Sequence, residues 1–241
     1  MNDVNAAWDS FDETAALPCS TGNSIPACTI NTPSPSPSPI YISTRTRIAK
    51  LKTKRGFVSV DLSSYFWKIA VIPYWRQKEG VTKKQMKFVT TSAEQLALIT
   101  SRIDPGEISS QYVIRRIENP DGKIKFKDVR KITLGLSKKD ITSYRSKQKG
   151  AFYNCFALVI RVLYQSEFHE IHVKVFNTGK LEIPGVQNEE IFRRAMELLC
   201  RELTACAECK ESWTIADVST VLINSNFSYI SSQNRTYKCL S

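Results

Sequence analysis

The most constraining feature of this sequence is an alternating apolar pattern, interrupted by a glycine-centred turn, between Val173 and Ile183. Val173 and Val175 are the apolar positions before the turn at Gly179. Leu181 and Ile183 resume the alternation after it. This pattern predicts a β-hairpin with one apolar and one mixed face. The apolar face must pack against a second layer of structure.

A helix that could supply this layer follows at once. Asn188 is a suitable N-cap, and the helix is predicted to run to about Thr204. Its apolar residues recur at spacings of three and four, so they share one side of the helix. The predicted buried stripe is Ile191, Ala195, Leu198, Leu199 and Leu203.

Other segments extend this pattern. Alternation predicts a strand from Tyr41 to Leu51, and Asp61 is placed to cap a helix that ends before Pro73. The run from Phe152 to Tyr164 is apolar on both faces, as in a buried central strand. A last strand is predicted from Val218 to Phe227. The fold class is therefore α+β, an antiparallel sheet with helices on one face.

The segment from about 76 to 149 is basic, and its patterns are short. Its topology is not predicted. The local expectations are strands at Gln85–Thr90, Tyr112–Ile117 and Ile124–Phe126, a helix capped by Ser92 that runs through Leu98, and a helical turn from Ser137 to Tyr144.

The first 40 residues differ from the rest, since they contain no Lys or Arg. The Ser-Pro repeat at 32–39 favours extended polyproline II and reads as a linker. We expect residues 1–40 to be a disordered acidic arm. The remaining division is a folded region at 41–204, which includes the basic insertion, and a C-terminal part at 205–241, in which the polar tail from Ser228 is expected to be unstructured.

The net charge of +11 and pI near 9.3 favour an anionic partner, nucleic acid first and a membrane surface second. A solvated basic face without a partner is the alternative. No apolar run reaches the roughly 20 residues of a membrane helix, and the N-terminus is acidic where a signal peptide is basic. Seven cysteines without regular spacing suit reduced thiols. An intracellular, non-secreted protein without membrane contact is therefore expected.

The hairpin and its helix resemble the stirrup hairpin and long helix of the TATA-box-binding protein family. The stretches at 152–158 and 176–185 are most similar to the divergent TATA-binding-like proteins of large DNA viruses. The resemblance covers roughly residues 42–74 and 150–227, and Val221–Phe227 resembles the first strand of a second repeat. It implies a curved half saddle with helices on the convex face. It also implies a nucleus or a cytoplasmic viral factory as the compartment.

The resemblance also implies a mechanism, in which the concave face enters the minor groove and paired phenylalanines wedge between base steps. Phe176 matches the wedge before the turn, with Phe156 as its expected mate. Lys180 matches the lysine after the turn glycine, and Lys174 and His172 share the Phe176 face by alternation. For Phe176 an ordinary core position is the alternative. The predicted DNA-binding residues are Phe156, Phe176, Lys174 and Lys180, together with Arg45 and Arg47 from the basic first strand.

Two departures from the family pattern affect this prediction. Glu182 and Pro184 replace small or hydroxyl residues on the groove side, and a carboxylate there would repel phosphates. The family has two repeats, whereas this chain contains one and the start of another. The missing second repeat has three explanations: a homodimer that completes the saddle, a working single repeat, or a truncated product.

The sequence contains no motif that predicts catalysis or a cofactor, because the phosphate-binding glycine loops, GxSxG and HExxH are absent. Cys206 and Cys209 form one isolated CxxC pair, a weak zinc signal. His169 and His172 are expected on opposite faces of a strand, so they do not predict a shared site. Neither an enzyme nor a metal site is expected.

The sequence therefore predicts a transcription-initiation-like factor that binds double-stranded DNA, with RNA polymerase or initiation factors as further partners. The alternative is a protein-interaction module on the same scaffold, which joins a polymerase or viral assembly without sequence-selective DNA binding.

Overall fold

A computed structural model describes most of the chain from Ser38 onward. The described residues are 38–57, 59–143, 152–207, 212–230 and 236–240. The expected disorder of residues 1–40 thus falls almost wholly outside them. The strands in these residues are β1 Tyr41–Thr53, β2 Gly56–Phe57, β3 Gly80–Thr90, β4 Ser109–Glu118, β5 Phe126–Gly135, β6 Cys155–Tyr164, β7 Glu167–Phe176, β8 Lys180–Pro184, β9 Thr214–Ile230 and β10 Thr236–Leu240. The helices are α1 Leu62–Lys68, α2 Ala93–Ser101, α3 Lys138–Thr142 and α4 Glu189–Cys206.

All of these strands belong to one open antiparallel sheet. Its order is β10-β9-β1-β8-β7-β6-β3-β5-β4, and the short β2 pairs with β1 outside this path. The predicted α+β class is confirmed.

The basic insertion is part of this sheet. Its strand β3 pairs with β6 on one side and with β5 on the other, and β4 pairs with β5. The three strands thus continue the sheet outward from β6. Strands β3 and β4 are longer than the predicted strands at Gln85–Thr90 and Tyr112–Ile117, whereas the strand predicted at Ile124–Phe126 shares only Phe126 with β5, which continues to Gly135.

The core lies between the sheet and the helices α1 and α4. The hairpin residues Val173, Val175, Leu181 and Ile183 are each completely buried, as their alternation predicted. The predicted stripe of α4 is buried as well, and Phe192 and Met196 widen it. The apolar face of the hairpin is therefore covered by the helix that follows it in sequence.

Both of these helices begin at predicted caps. The Asp61 carboxylate accepts hydrogen bonds from the backbone N–H groups of Ser63 and Ser64, both at 3.1 Å. The Asn188 side chain does the same for Glu190 and Ile191. These bonds satisfy donors that a helix start leaves without intrahelical partners.

The C-terminal region differs from the expectation. Strand β9 begins at Thr214 and continues to Ile230, and β10 pairs with its far end. The tail from Ser228, expected to be unstructured, thus contains strand residues. Strand β9 also pairs antiparallel with β1 from Tyr41 to Lys52, so the edge of β1 is not exposed.

The helices within the described residues are too short or too polar to cross a membrane.

We predict that Asp61→Ala lowers the free energy of unfolding by about 1 kcal/mol, since it removes an N-cap from a helix that buries Leu62 and Phe66. Urea unfolding of the full chain measures this value. Ser92→Ala is the matched control, because Ser92 caps α2, which has no buried residue. An equal or larger loss for Ser92→Ala would contradict the prediction.

Candidate nucleic-acid interface

Register divides the central sheet residues between two faces, because directly paired residues of antiparallel strands point to the same side. Val175 pairs with Phe156, and both lie against the helices. Phe176 pairs with Cys155 on the opposite side. We call the side packed against α1 and α4 the helix face. The side that carries Phe176 is the lysine face.

Four lysines form one line across the lysine face. Lys131 of β5 pairs with Tyr112 of β4 and with Lys87 of β3. Lys180 of β8 pairs with Lys50 of β1. We call Lys50, Lys87, Lys131 and Lys180 the lysine row.

Two residues occupy the middle of this row. Met86 of β3 pairs with Phe156 of β6, so the next residues along these strands, Lys87 and Cys155, lie opposite each other. Cys155 pairs on its other side with Phe176 of β7. Phe176 in turn lies across the hairpin turn from Lys180. The line from Tyr112 to Lys50 crosses seven strands, which at about 4.8 Å per step is about 30 Å.

The row contains two directly opposed pairs of like charge, Lys131 with Lys87 and Lys180 with Lys50. Like charges at directly opposed positions destabilise a sheet. Burial lowers the pKa of Lys131, and the nearby positive charge of Lys83 lowers it further. Among the described residues, no carboxylate forms an ion pair with Lys87 or Lys180, and Lys50 lies 3.7 Å from exposed Asp217. A bound anion would relieve this repulsion.

Aromatic side chains accompany the row. Phe152 and Tyr153, immediately before β6, are 62% and 65% exposed. The Lys87 ammonium lies 3.5 Å from the centre of the Tyr153 ring, and the Lys174 ammonium lies 5.1 Å from that of Phe152. Phe176 is half-buried beside them. Exposed rings next to lysines can stack on bases while the lysines contact phosphates.

Glu182, the carboxylate expected to face the DNA, forms an ion pair within the protein. Glu182 lies on the lysine face and pairs directly with Lys174, whose ammonium is 2.6 Å from its carboxylate. Its negative charge is therefore offset locally. The same ion pair engages Lys174, so this lysine is less available to a phosphate than the sequence suggested.

At the other end of the lysine face, the polar side chains form contacts within the protein. The buried Arg161 guanidinium donates hydrogen bonds to the carbonyls of Tyr74, Arg76 and Lys78. Helix α3 is held by an ion pair of Asp140 with Lys83, and Glu170 accepts a bond from its first backbone N–H. These contacts leave the end with the lysine row as the candidate interface. The last part of the predicted Ser137–Tyr144 turn and the basic residues up to Lys149 lie outside the described residues.

The prediction for Phe156 is wrong. This residue is completely buried on the helix face, whereas Phe176 lies on the lysine face. The two rings therefore cannot form a pair on one surface. Phe152 is an exposed aromatic residue on the Phe176 side, where it contacts Lys174.

Arg45 and Arg47, which were predicted to contact DNA, lie on the helix face rather than on the lysine face. Arg47 is 4% exposed on the helix face, where it forms a 2.7 Å ion pair with Glu189 and lies 4.4 Å from the centre of the Phe192 ring. Arg45 lies two positions earlier on the same side of β1, and its Nε is buried. Lys50 is the residue of β1 that reaches the row, since it points to the other side.

Sequence reasoning missed five of the interface residues: Lys50, Lys87, Lys131, Phe152 and Tyr153. The alternation Gln85, Lys87, Val89 marks one side of β3, but only the pairing of β3 with β6 shows which side that is. Register places Lys174 on the same face as Phe176, as alternation predicted, and Lys180 lies on this face as well.

The histidines do not meet, as predicted. His169 pairs with Val162 on the helix face, and His172 pairs with Val159 on the lysine face. The described residues contain no group of three His, Cys, Asp or Glu side chains that could hold a metal ion. Burial raises the pKa of Cys200 to about 11, which makes it an unreactive thiol near neutral pH. Cys209 lies outside the described residues.

Comparison with known proteins identifies no relative: no family model, curated protein or solved structure matches the chain.

We predict that Phe156→Ala lowers the free energy of unfolding by about 3–5 kcal/mol, because it leaves a cavity in the core. Phe152→Ala removes an exposed ring by the same substitution and should change the stability by less than about 1 kcal/mol. Chemical unfolding of both full-length variants measures the difference. Similar losses for the two variants would show that the assignment of faces is incorrect.

Proposed function

We propose that this chain binds double-stranded DNA through the lysine face, as a transcription-initiation-like factor. The observation that carries the proposal is the lysine row, in which two opposed lysine pairs flank Phe176. Lysines in this arrangement can replace the counterions of a phosphate backbone. The role in transcription is supported by the resemblance of the hairpin to the TATA-box-binding protein family.

The aromatic residues favour insertion into a groove over surface contact alone. Phe176 lies between the two lysine pairs, and Phe152 is close enough to act with it. Apolar side chains that wedge between base steps bend the duplex and increase the contact area. Such recognition depends on how easily the DNA deforms, so A/T-rich sequences with flexible steps are the expected targets.

We predict that the double variant Lys87→Gln and Lys180→Gln weakens DNA binding and reduces its salt dependence. Each phosphate contact contributes about 0.9 to the slope of log K against log salt, so the slope should fall by about 1.8. Fluorescence anisotropy with a short duplex across a salt series measures both quantities.

The matched control is Lys68→Gln with Arg201→Gln, which removes the same charge from the exposed helix side. The control should keep the slope. Equal effects of the two double variants would show that DNA is attracted by the overall positive charge and not bound at the lysine row.

We also predict that Phe176→Ala removes DNA bending, measured by energy transfer between the ends of a labelled duplex. Affinity should fall about tenfold, because stacking of an aromatic ring on a base contributes about 1–3 kcal/mol. Phe168→Ala is the control, since Phe168 lies on the same strand and face but contacts Arg161 at the occupied end. Unchanged bending by Phe176→Ala would exclude groove insertion.

A second candidate function is supported by a groove on the helix face. A cavity of about 610 Å³ lies between α4 and β9 and is lined by Phe192, Met196, Trp213, Ile215 and Val218. Beside it, the exposed residues Val221 and Ile223 of β9 extend the apolar surface. A protein-interaction module would use this surface. It predicts partner binding that the lysine-row substitutions leave unchanged.

A further inference from the structure

The N-terminal residues and the rest of the chain carry opposite charge. Residues 1–37 contain four acidic residues and no Lys or Arg, so their net charge is −4. Since the whole chain carries +11, residues 38–241 carry +15. Three of the four acids lie in one short stretch with two aromatic residues. We call this stretch, Trp8-Asp9-Ser10-Phe11-Asp12-Glu13, the acidic-aromatic segment.

The composition of this segment complements the lysine row. Asp9, Asp12 and Glu13 can form ion pairs with Lys87 and Lys180, which form no ion pair with a carboxylate among the described residues. Trp8 and Phe11 can pack beside the exposed rings of Phe152 and Tyr153 and against lysine stems. The segment thus presents the two features of the proposed nucleic-acid ligand, negative charge and flat aromatic groups.

The chain enters the sheet at a fixed place. The backbone N–H of Ser38 donates a 2.7 Å hydrogen bond to the carbonyl of Ser228, and the Ser228 N–H donates one of 2.7 Å to the Ser38 hydroxyl. The start of the described chain is therefore anchored to β9. From there, Lys50 lies about 40 Å along β1, and Lys131 lies about 30 Å across the sheet from β9.

The connecting chain is long enough for this distance. Residues 14–37 separate the segment from Ser38, and a chain of 24 residues can reach up to about 74 Å at about 3.1 Å per residue. The farthest lysine of the row is about 50 Å from the anchor on the diagonal. A connection of this length keeps the segment at an effective concentration near the millimolar range, so weak ion pairs suffice for occupancy.

We propose that the acidic-aromatic segment binds the lysine row of its own chain and competes there with nucleic acid. The contact itself depends only on the charges and reach given above. The competition rests on the proposed function.

The contact is tested on the full chain without DNA, by zero-length carbodiimide crosslinking at low salt and mass spectrometry. Crosslinks from Asp9, Asp12 or Glu13 should concentrate on the lysine row and disappear at about 0.5 M salt, where screening is strong. Lys68 on α1 and Lys123 in the β4–β5 connection are exposed comparison lysines. Equal crosslinking to these two residues, or no crosslinks to the row, would overturn the contact.

The competition is tested with the full-length triple variant Asp9→Asn, Asp12→Asn and Glu13→Gln. It should bind a short duplex about five- to tenfold more tightly than the unmodified chain at low salt, and the difference should vanish at high salt. The control variant Glu94→Gln, Glu197→Gln and Glu202→Gln makes the same charge change on α2 and α4.

The outcomes separate the two proposals. Equal gains in the triple and control variants, or no gain in either, would overturn the competition. If no form of the protein binds DNA, the proposed function fails, while the crosslinking result still decides whether the segment occupies the row.

Discussion

The arrangement of the lysine face depends on how β7 and β8 pack against α4. Val173, Val175, Leu181 and Ile183 are fully buried, and each contributes about 1.5–3 kcal/mol relative to exposure. Because side chains alternate with a period of two, a shift by one residue would place Lys174 and Glu182 in the core and expose these four residues. The packing of the helix face therefore fixes which residues the other face presents. The residues of the lysine row are far apart in sequence, and they form one line because the core holds every strand in register.

The large positive charge of the chain is not all available to a partner. Arg47 is held by Glu189, Arg161 binds three backbone carbonyls, and Arg130 forms a buried pair with Asp128. Lys84 is buried on the helix face, where its ammonium donates a 2.6 Å bond to the Ile69 carbonyl and desolvation lowers its pKa. These side chains stabilise the fold by satisfying buried groups. The location of the remaining lysines carries more functional information than the net charge.

The sequence predicted the elements whose signals are local. The Asp61 and Asn188 caps, the hairpin alternation and the stripe of α4 need only a few neighbouring residues, and all are present. The face of Phe156 could not be predicted, because β6 is apolar on both sides. Only its pairing with Val175 shows that Phe156 lies on the helix face. The row was missed for a related reason: β3 and β6 are about 70 residues apart in sequence, and nothing local indicates that Lys87 lies beside Cys155. The strand predicted at Val218–Phe227 is present within β9, but the polar segment after Phe227 carries no local strand signal, and its strand residues are those that pair β9 with β10.

The geometry of the row suggests how the proposed complex would be oriented. Lys87 and Lys180 lie three strand steps apart, or about 14 Å, with Cys155 and Phe176 between them. The minor groove is about 6 Å wide between its walls, so the phosphates of both strands fall within reach of lysine side chains that flank it. In this orientation Phe176 lies above the base edges and the outer lysines follow the two backbones. The ion pair of Lys174 with Glu182, two residues further along the strands, then lies at the edge of the contact, where it adds no net charge.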